Sequence, residues 1–132
     1  IHGRSDTTLN PGGVRIGTAE IYRAVENMEQ VIDAVVVGRP NNGDVDLVLF
    51  VRLIEGVIFD DNFKLEIRGK IRSSTTPRHV PDYIFEVDDI PYTISGKKVE
   101  KAVLNAIIGK EIGNKEAISN PESLNQYLDF SF

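Results

Sequence analysis

The run "VDLVLFVRL", Val45–Leu53, constrains the fold most. Side chains alternate across a strand, so a strand with one wet face reads apolar, polar, apolar. This run is almost unbroken in its apolar character. It is therefore expected as a central strand covered on both faces, and the remaining chain must supply the cover.

The flanking segments supply it. "DAVVVGRP" reads as a strand stopped by Pro40, and "NNGD" as the turn that follows. "DYIFEV" reads as a third strand. Ahead of these, "TTLNPGGVRI" reads as a short hairpin with Pro11, Gly12 and Gly13 in its turn. Thr18 is placed to cap a helix whose apolar positions, Ala19, Ile21, Ala24, Val25 and Met28, keep helical spacing. Asp60 and Asp61 suit a helix N-terminus, and Phe63, Ile67 and Ile71 form its i, i+4 stripe. "TTPRHVP" is a stiff connector, because each proline fixes its own φ and restricts the residue before it. A further helix is expected from about Lys98 to Ile108, with Val99, Val103 and Ile107 on one face. Asn120 and Pro121 open a last short helix bearing Leu124, Tyr127 and Leu128. The expected class is α+β: a small three-stranded sheet flanked by helices and preceded by a short β-hairpin.

Composition narrows the function. The formal net charge of −5 over 132 residues argues against general nucleic-acid binding, which rests on many phosphate contacts. No cysteine is present, which excludes disulfides and thiolate chemistry. His2 and His79 lack metal-ligand spacing, so no metal site is expected. No apolar run is long enough to span a bilayer and no signal peptide is visible, so no membrane partner is expected and the cytoplasm is the default location.

One loop asks for a chemical reason. "IPYTISGKKVEKAV", Ile90–Val103, sets Lys97 directly after a glycine, in Pro/Thr/Ser/Gly surroundings. A phosphate-binding loop is excluded, because Pro91 stands where a glycine is required and Lys98 where a serine or threonine is required. On "SGK" alone, a solvated charge beside a turn is the commoner outcome. Charge distribution shifts the balance. Between Lys64 and Lys101 eight basic residues face six acidic ones, so the segment is +2 in a −5 chain. Such a stretch suits a small polyanion such as a nucleotide or coenzyme phosphate, although a helix face with interspersed charges gives the same count. Arg4 and Arg15, spaced around the first turn, either pair with acids or hold a phosphate.

Here the residues carry a resemblance. "GRSDTTLNPGGVRIGTAEIYRAVE" resembles the hinge and hairpin motif of the acyl-adenylate-forming superfamily, and "IPYTISGKKVEKAV" its terminal lysine motif. "STTPRHVPDYIFEVDDIP" is similar to the connector between them. The likeness runs from Gly3 to about Ile108. Within the superfamily, "GRSDTTLNPGGVR", "RHVP", "IPYTISGKKVE" and "SNPESL" most resemble the acetoacetyl-CoA synthetase branch. The resemblance implies a C-terminal mobile domain over 7–112, preceded by a hinge or linker over 1–6 and followed by a tail with a short helix over 113–132.

It also implies a two-step ligation. Acetoacetate and ATP give acetoacetyl-AMP and diphosphate; CoA then displaces AMP to give acetoacetyl-CoA. ATP and CoA would be substrates, with Mg2+ held by a large N-terminal domain, the expected partner. This chain alone would be inactive and would bind none of them by itself. The small domain would rotate about a hinge, presenting a different face for each step. Lys97 matches the adenylation lysine, and the loop is expected to be small and mobile so that its amine can enter and leave. Asp6 matches the hinge residue. Arg4 and Arg15 match nucleotide-side arginines. Gly13 matches a glycine beside the pantetheine passage, and Arg72 a residue meeting CoA phosphates. Thr7 replaces a second acid after the hinge, and Tyr92 and Ile94 stand where basic residues are common. Lys98 and Lys101 read as solvated helix charges. Other readings are a ligase for a different short acid, or a stand-alone binding module of the same fold.

Overall fold

The computed structural model describes residues 8–9, 16–41, 43–110 and 117–129. Strand β1 (Thr8–Leu9) pairs antiparallel with β2 (Ile16–Gly17), with Leu9 opposite Ile16, as the predicted hairpin requires. Its Pro-Gly-Gly turn lies outside the described residues. Helix α1 (Thr18–Glu26) follows, then β3 (Val31–Asn41), β4 (Asp44–Leu53), α2 (Asp61–Ser74), a 3-10 turn Pro77–His79, β5 (Tyr83–Glu86), α3 (Glu100–Ile108) and a 3-10 helix Pro121–Asp129.

The sheet order is β3-β4-β5, with β3 antiparallel and β5 parallel to β4. The long apolar run is thus the central strand. Leu47, Leu49 and Val51 point into a core shared with α1 and α2. Val48 and Phe50 point into a second core shared with α3 and the final 3-10 helix. Five successive residues, Leu47 to Val51, are 1% exposed or less, so neither face of β4 is wet. Burying each such side chain contributes about 1.5–3 kcal/mol.

Local signals hold for α2. Asp60 is its N-cap, accepting from the Phe63 amide at 2.9 Å, and Phe63, Ile67 and Ile71 are its buried stripe. Two expectations are corrected. Thr18 is the first helical residue rather than the cap; Gly17 holds the cap position without a side-chain bond, and Thr18 is buried. Pro40 does not stop β3, because it pairs with Val45 one step from the strand end. An edge strand has an outer side that needs no donor, and β3 is such a strand.

The connector between α2 and β5 is fixed at the amino end of β4. The Asp82 amide donates to the Leu47 carbonyl, and the Leu47 amide donates to Asp82 Oδ2, both at 2.8 Å. His79 is buried there, with Nδ1 2.8 Å from Thr76 Oγ1 and Nε2 3.2 Å from Glu20 Oε1. It ties the connector to α1.

Candidate functional site

The lysine loop is a small hairpin. Tyr92 bridges antiparallel to Lys98, and Thr93 bridges antiparallel to Ile118. The Thr93 amide donates to the Lys97 carbonyl at 2.7 Å, and the Gly96 amide donates to the Thr93 carbonyl at 2.9 Å. The Lys97 amide donates to Thr93 Oγ1 at 3.0 Å. The turn needs a left-handed residue, which Gly96 supplies at φ 94°. "TISGK" therefore folds as it does because a threonine side chain mimics a backbone acceptor and a glycine takes the disfavoured φ.

Lys97 emerges exposed from this hairpin, and no described residue pairs with its ammonium. Ile94 at the tip is 74% exposed. The loop is small, as expected. Its Tyr92, Thr93, Ile94, Gly96 and Lys97 amides find acceptors within the hairpin or on residues 117–120.

The neighbouring lysine behaves oppositely. The Lys98 side chain is 5% exposed, with Nζ 2.6 Å from Glu26 Oε2 and 3.5 Å from Asp33 Oδ1. Nζ also stands 3.6 Å from the centre of the Tyr22 ring. Lys98 precedes α3, which starts at Glu100, so it is not the solvated helix charge the sequence suggests. Lys101, in the first turn of α3, is exposed as expected. The hydroxyl of Tyr92 donates to Asp33 Oδ2, and that of Tyr22 donates to Glu100 Oε2 while accepting from the Val36 amide. Burial, and then Glu100, push the Tyr22 phenol well above its ordinary value. Burial and then the Asp33 hydrogen bond push Tyr92 up likewise. Both hydroxyls therefore stay protonated as donors. Sequence reasoning missed this cluster, since its members come from α1, β3, the hairpin and α3, and no local spacing joins them.

Arg72 lies elsewhere. It is exposed in the last turn of α2, beside the connector at the amino end of β4. The lysine hairpin sits at the other end, since Asp33, its contact, pairs with Arg52 near the carboxyl end of β4. The connector that follows Arg72 and the hairpin that carries Lys97 thus meet opposite ends of β4. Arg4, Asp6, Gly13 and Arg15 lie outside the described residues. Among the described residues, no group of three or more His, Asp or Glu side chains could hold a metal ion. No described helix is long and apolar enough to cross a membrane.

Comparison with known proteins places this geometry. Residues 20–97 match the family model described as the AMP-binding enzyme C-terminal domain, a span that contains Arg72 and ends on Lys97. Acetoacetyl-coenzyme A synthetase of Rhizobium meliloti is 54% identical over 127 residues, covering 96% of this chain and 20% of that protein. Acetoacetyl-CoA synthetase of Caenorhabditis elegans is 47% identical over 130 residues, covering 97% and 19%. The solved acetoacetyl-CoA synthetase of Streptomyces lividans superposes with a TM-score of 0.83 at 39% identity, over 98% of this chain and 20% of that one. The chain spans about a fifth of the length of the curated relatives it matches.

Proposed function

The chain belongs to the AMP-binding enzyme C-terminal domain family, and from that premise we propose that it serves an acetoacetyl-CoA synthetase as the domain that delivers the adenylation lysine. The observation that carries the reading is Lys97, an exposed side chain with no described partner, held on a hairpin braced by backbone bonds within itself and to residues 117–120.

The geometry suits electrostatic catalysis. A fixed point charge, brought between a carboxylate and the α-phosphate of ATP, stabilises the negative charge that gathers there as acetoacetyl-AMP forms and diphosphate leaves. The thiol of CoA then attacks the acyl carbon and AMP departs. A hairpin braced in this way delivers its charge when the domain swings as a unit, and Asp6 is proposed as the pivot. Arg4 and Arg15 are assigned to the nucleotide, and Gly13 and Arg72 to the CoA side. That the connector after Arg72 and the hairpin of Lys97 meet opposite ends of β4 supports two faces used in turn. Mg2+ and the pocket for acetoacetate and adenine belong to an N-terminal domain beyond this chain, and residues 1–6, 7–112 and 113–132 act as linker, moving body and tail.

The test uses the full-length protein with a panel of short acids, ATP and CoA, following diphosphate and thioester. Acetoacetate is expected to give the highest kcat/KM. Lys97→Ala is expected to lower adenylate formation by orders of magnitude, while thioester formation from supplied acetoacetyl-AMP and CoA persists. Equal loss of both half-reactions would refute the role of Lys97. Preference for a different acid would reassign the substrate.

A further inference from the structure

The segment that fixes the lysine hairpin comes from the far end of the described chain. Asn120, just before the final 3-10 helix, uses both ends of its side-chain amide on the segment that leads to Lys97. Its Oδ1 accepts from the Tyr92 amide at 3.0 Å. Its Nδ2 donates to the Ile90 carbonyl at 2.8 Å and to Asp89 Oδ2 at 3.0 Å. Backbone bonds extend the grip: the Ser119 amide donates to the Tyr92 carbonyl at 2.9 Å, and the Ile94 amide to the Ala117 carbonyl at 3.0 Å.

The 3-10 helix behind Asn120 is itself anchored. Tyr127 is fully buried, its ring meeting Phe50 edge-on at 4.9 Å and its hydroxyl donating to the Asp89 carbonyl at 2.8 Å. Gln126 takes the Asp88 amide at 2.6 Å. Asn120 therefore transfers the position of a core-anchored helix to the backbone on which Lys97 rides. Leu124, 2% exposed on the same helix, packs in the second core and makes none of these bonds to the hairpin.

We propose that Asn120 is a positioning residue for Lys97, holding the hairpin so that the ammonium meets the reacting groups without searching for them. This rests on the adenylation role given to Lys97 above. A charge delivered about 1 Å from its place loses on the order of a hundredfold in rate, so the adenylation step should feel the loss of the clamp. The thioester step, for which Lys97 is swung away, should not.

In the full-length protein, Asn120→Ala is compared with Leu124→Ala, which loosens the same helix without touching the hairpin. Both half-reactions, the melting temperature and amide hydrogen exchange at Tyr92–Lys97 are read for each. Asn120→Ala is expected to lower the adenylation kcat about 10- to 100-fold, to leave thioester formation within twofold, and to raise exchange at the Tyr92 amide. Leu124→Ala is expected to lower the melting temperature with the ratio of the two half-reactions unchanged. Parallel loss of both half-reactions in Asn120→Ala, or the same skewed ratio in Leu124→Ala, would overturn the proposal. Lys97→Ala run alongside separates the premise: if it shows no split, the role of Lys97 fails, and unchanged exchange at Tyr92 in Asn120→Ala is then what overturns the clamp.

Discussion

Lys98 Nζ lies 2.6 Å from Glu26 Oε2, joining the hairpin to the last turn of α1 across the sequence. The adjacent Lys97 points to solvent. Of two successive lysines, one fastens the loop to α1 and β3, and the other, to which the adenylation role is proposed, pairs with no described residue.

That contrast predicts opposite phenotypes. In the isolated domain, which carries its own core on both faces of the sheet, Lys98→Ala leaves Glu26 and Asp33 facing each other without their cation. Breaking a well-buried pair costs about 3–5 kcal/mol, and the partial exposure of Glu26 reduces that to about 2 kcal/mol. Lys97→Ala should stay within about 0.5 kcal/mol of the parent. Urea midpoints would measure both; equal shifts would mean that Lys98 fastens nothing.

Two glycines with open surroundings should respond with opposite sign. No heavy atom comes within 4 Å of a Cβ added at Gly69 or Gly96. Gly69 sits inside α2, so Gly69→Ala should stabilise by about 0.5–1 kcal/mol. Gly96 sits at φ 94°, so Gly96→Ala should destabilise by about 1 kcal/mol or more and slow adenylation with it. Thermal unfolding of the two variants, side by side, decides.

Alkaline pH should unfold the domain sharply. Burial raises the phenols of Tyr22, Tyr92 and Tyr127, with Glu100, Asp33 and Asp89 adding to it. The folded state then keeps protons that the unfolded chain releases near pH 10. Stability from this source is fully present below about pH 10 and falls as pH climbs towards the folded values. Tyr22 and Tyr127 should each contribute a slope of about 1.4 kcal/mol per pH unit, and the less buried Tyr92 a smaller one. Denaturation midpoints between pH 8 and 11 would show it, and Tyr22→Phe should flatten the curve. A profile unchanged by that substitution would remove Tyr22 from the account.

The hinge assignment makes its own prediction. Asp6→Pro in the full-length protein fixes φ at the proposed pivot. Adenylate should still form, and thioester formation should fail. Normal overall turnover would place the pivot elsewhere.

How legible each of these features is in the sequence depends on the range of the interactions behind it. The double burial of β4 follows from a composition no half-wet strand tolerates, and the cap and stripe of α2 lie within four residues of one another. The turn that carries Lys97 is legible because threonine and glycine shape it locally, whereas the role proposed for the lysine comes from the resemblance and not from the turn. Pro40 misleads because edge and centre are properties of the sheet, not of the strand. Lys98 misleads because Glu26 and Asp33 lie 72 and 65 positions away, and nothing local reports that they converge. The same distance hides Asn120, whose chemistry reads as an ordinary helix opening until its neighbours are placed.

The bridge from Thr93 to Ile118 has a consequence for how the protein comes into being. The lysine hairpin leaves the ribosome before the residues that complete it have emerged. Until residues 117–120 emerge, Tyr92 and Ile94 lack their cross-chain bonds, and the amine rides on an unfinished edge. A nascent chain or a product stopped short of that point therefore carries every residue of the lysine motif without the brace that aims it.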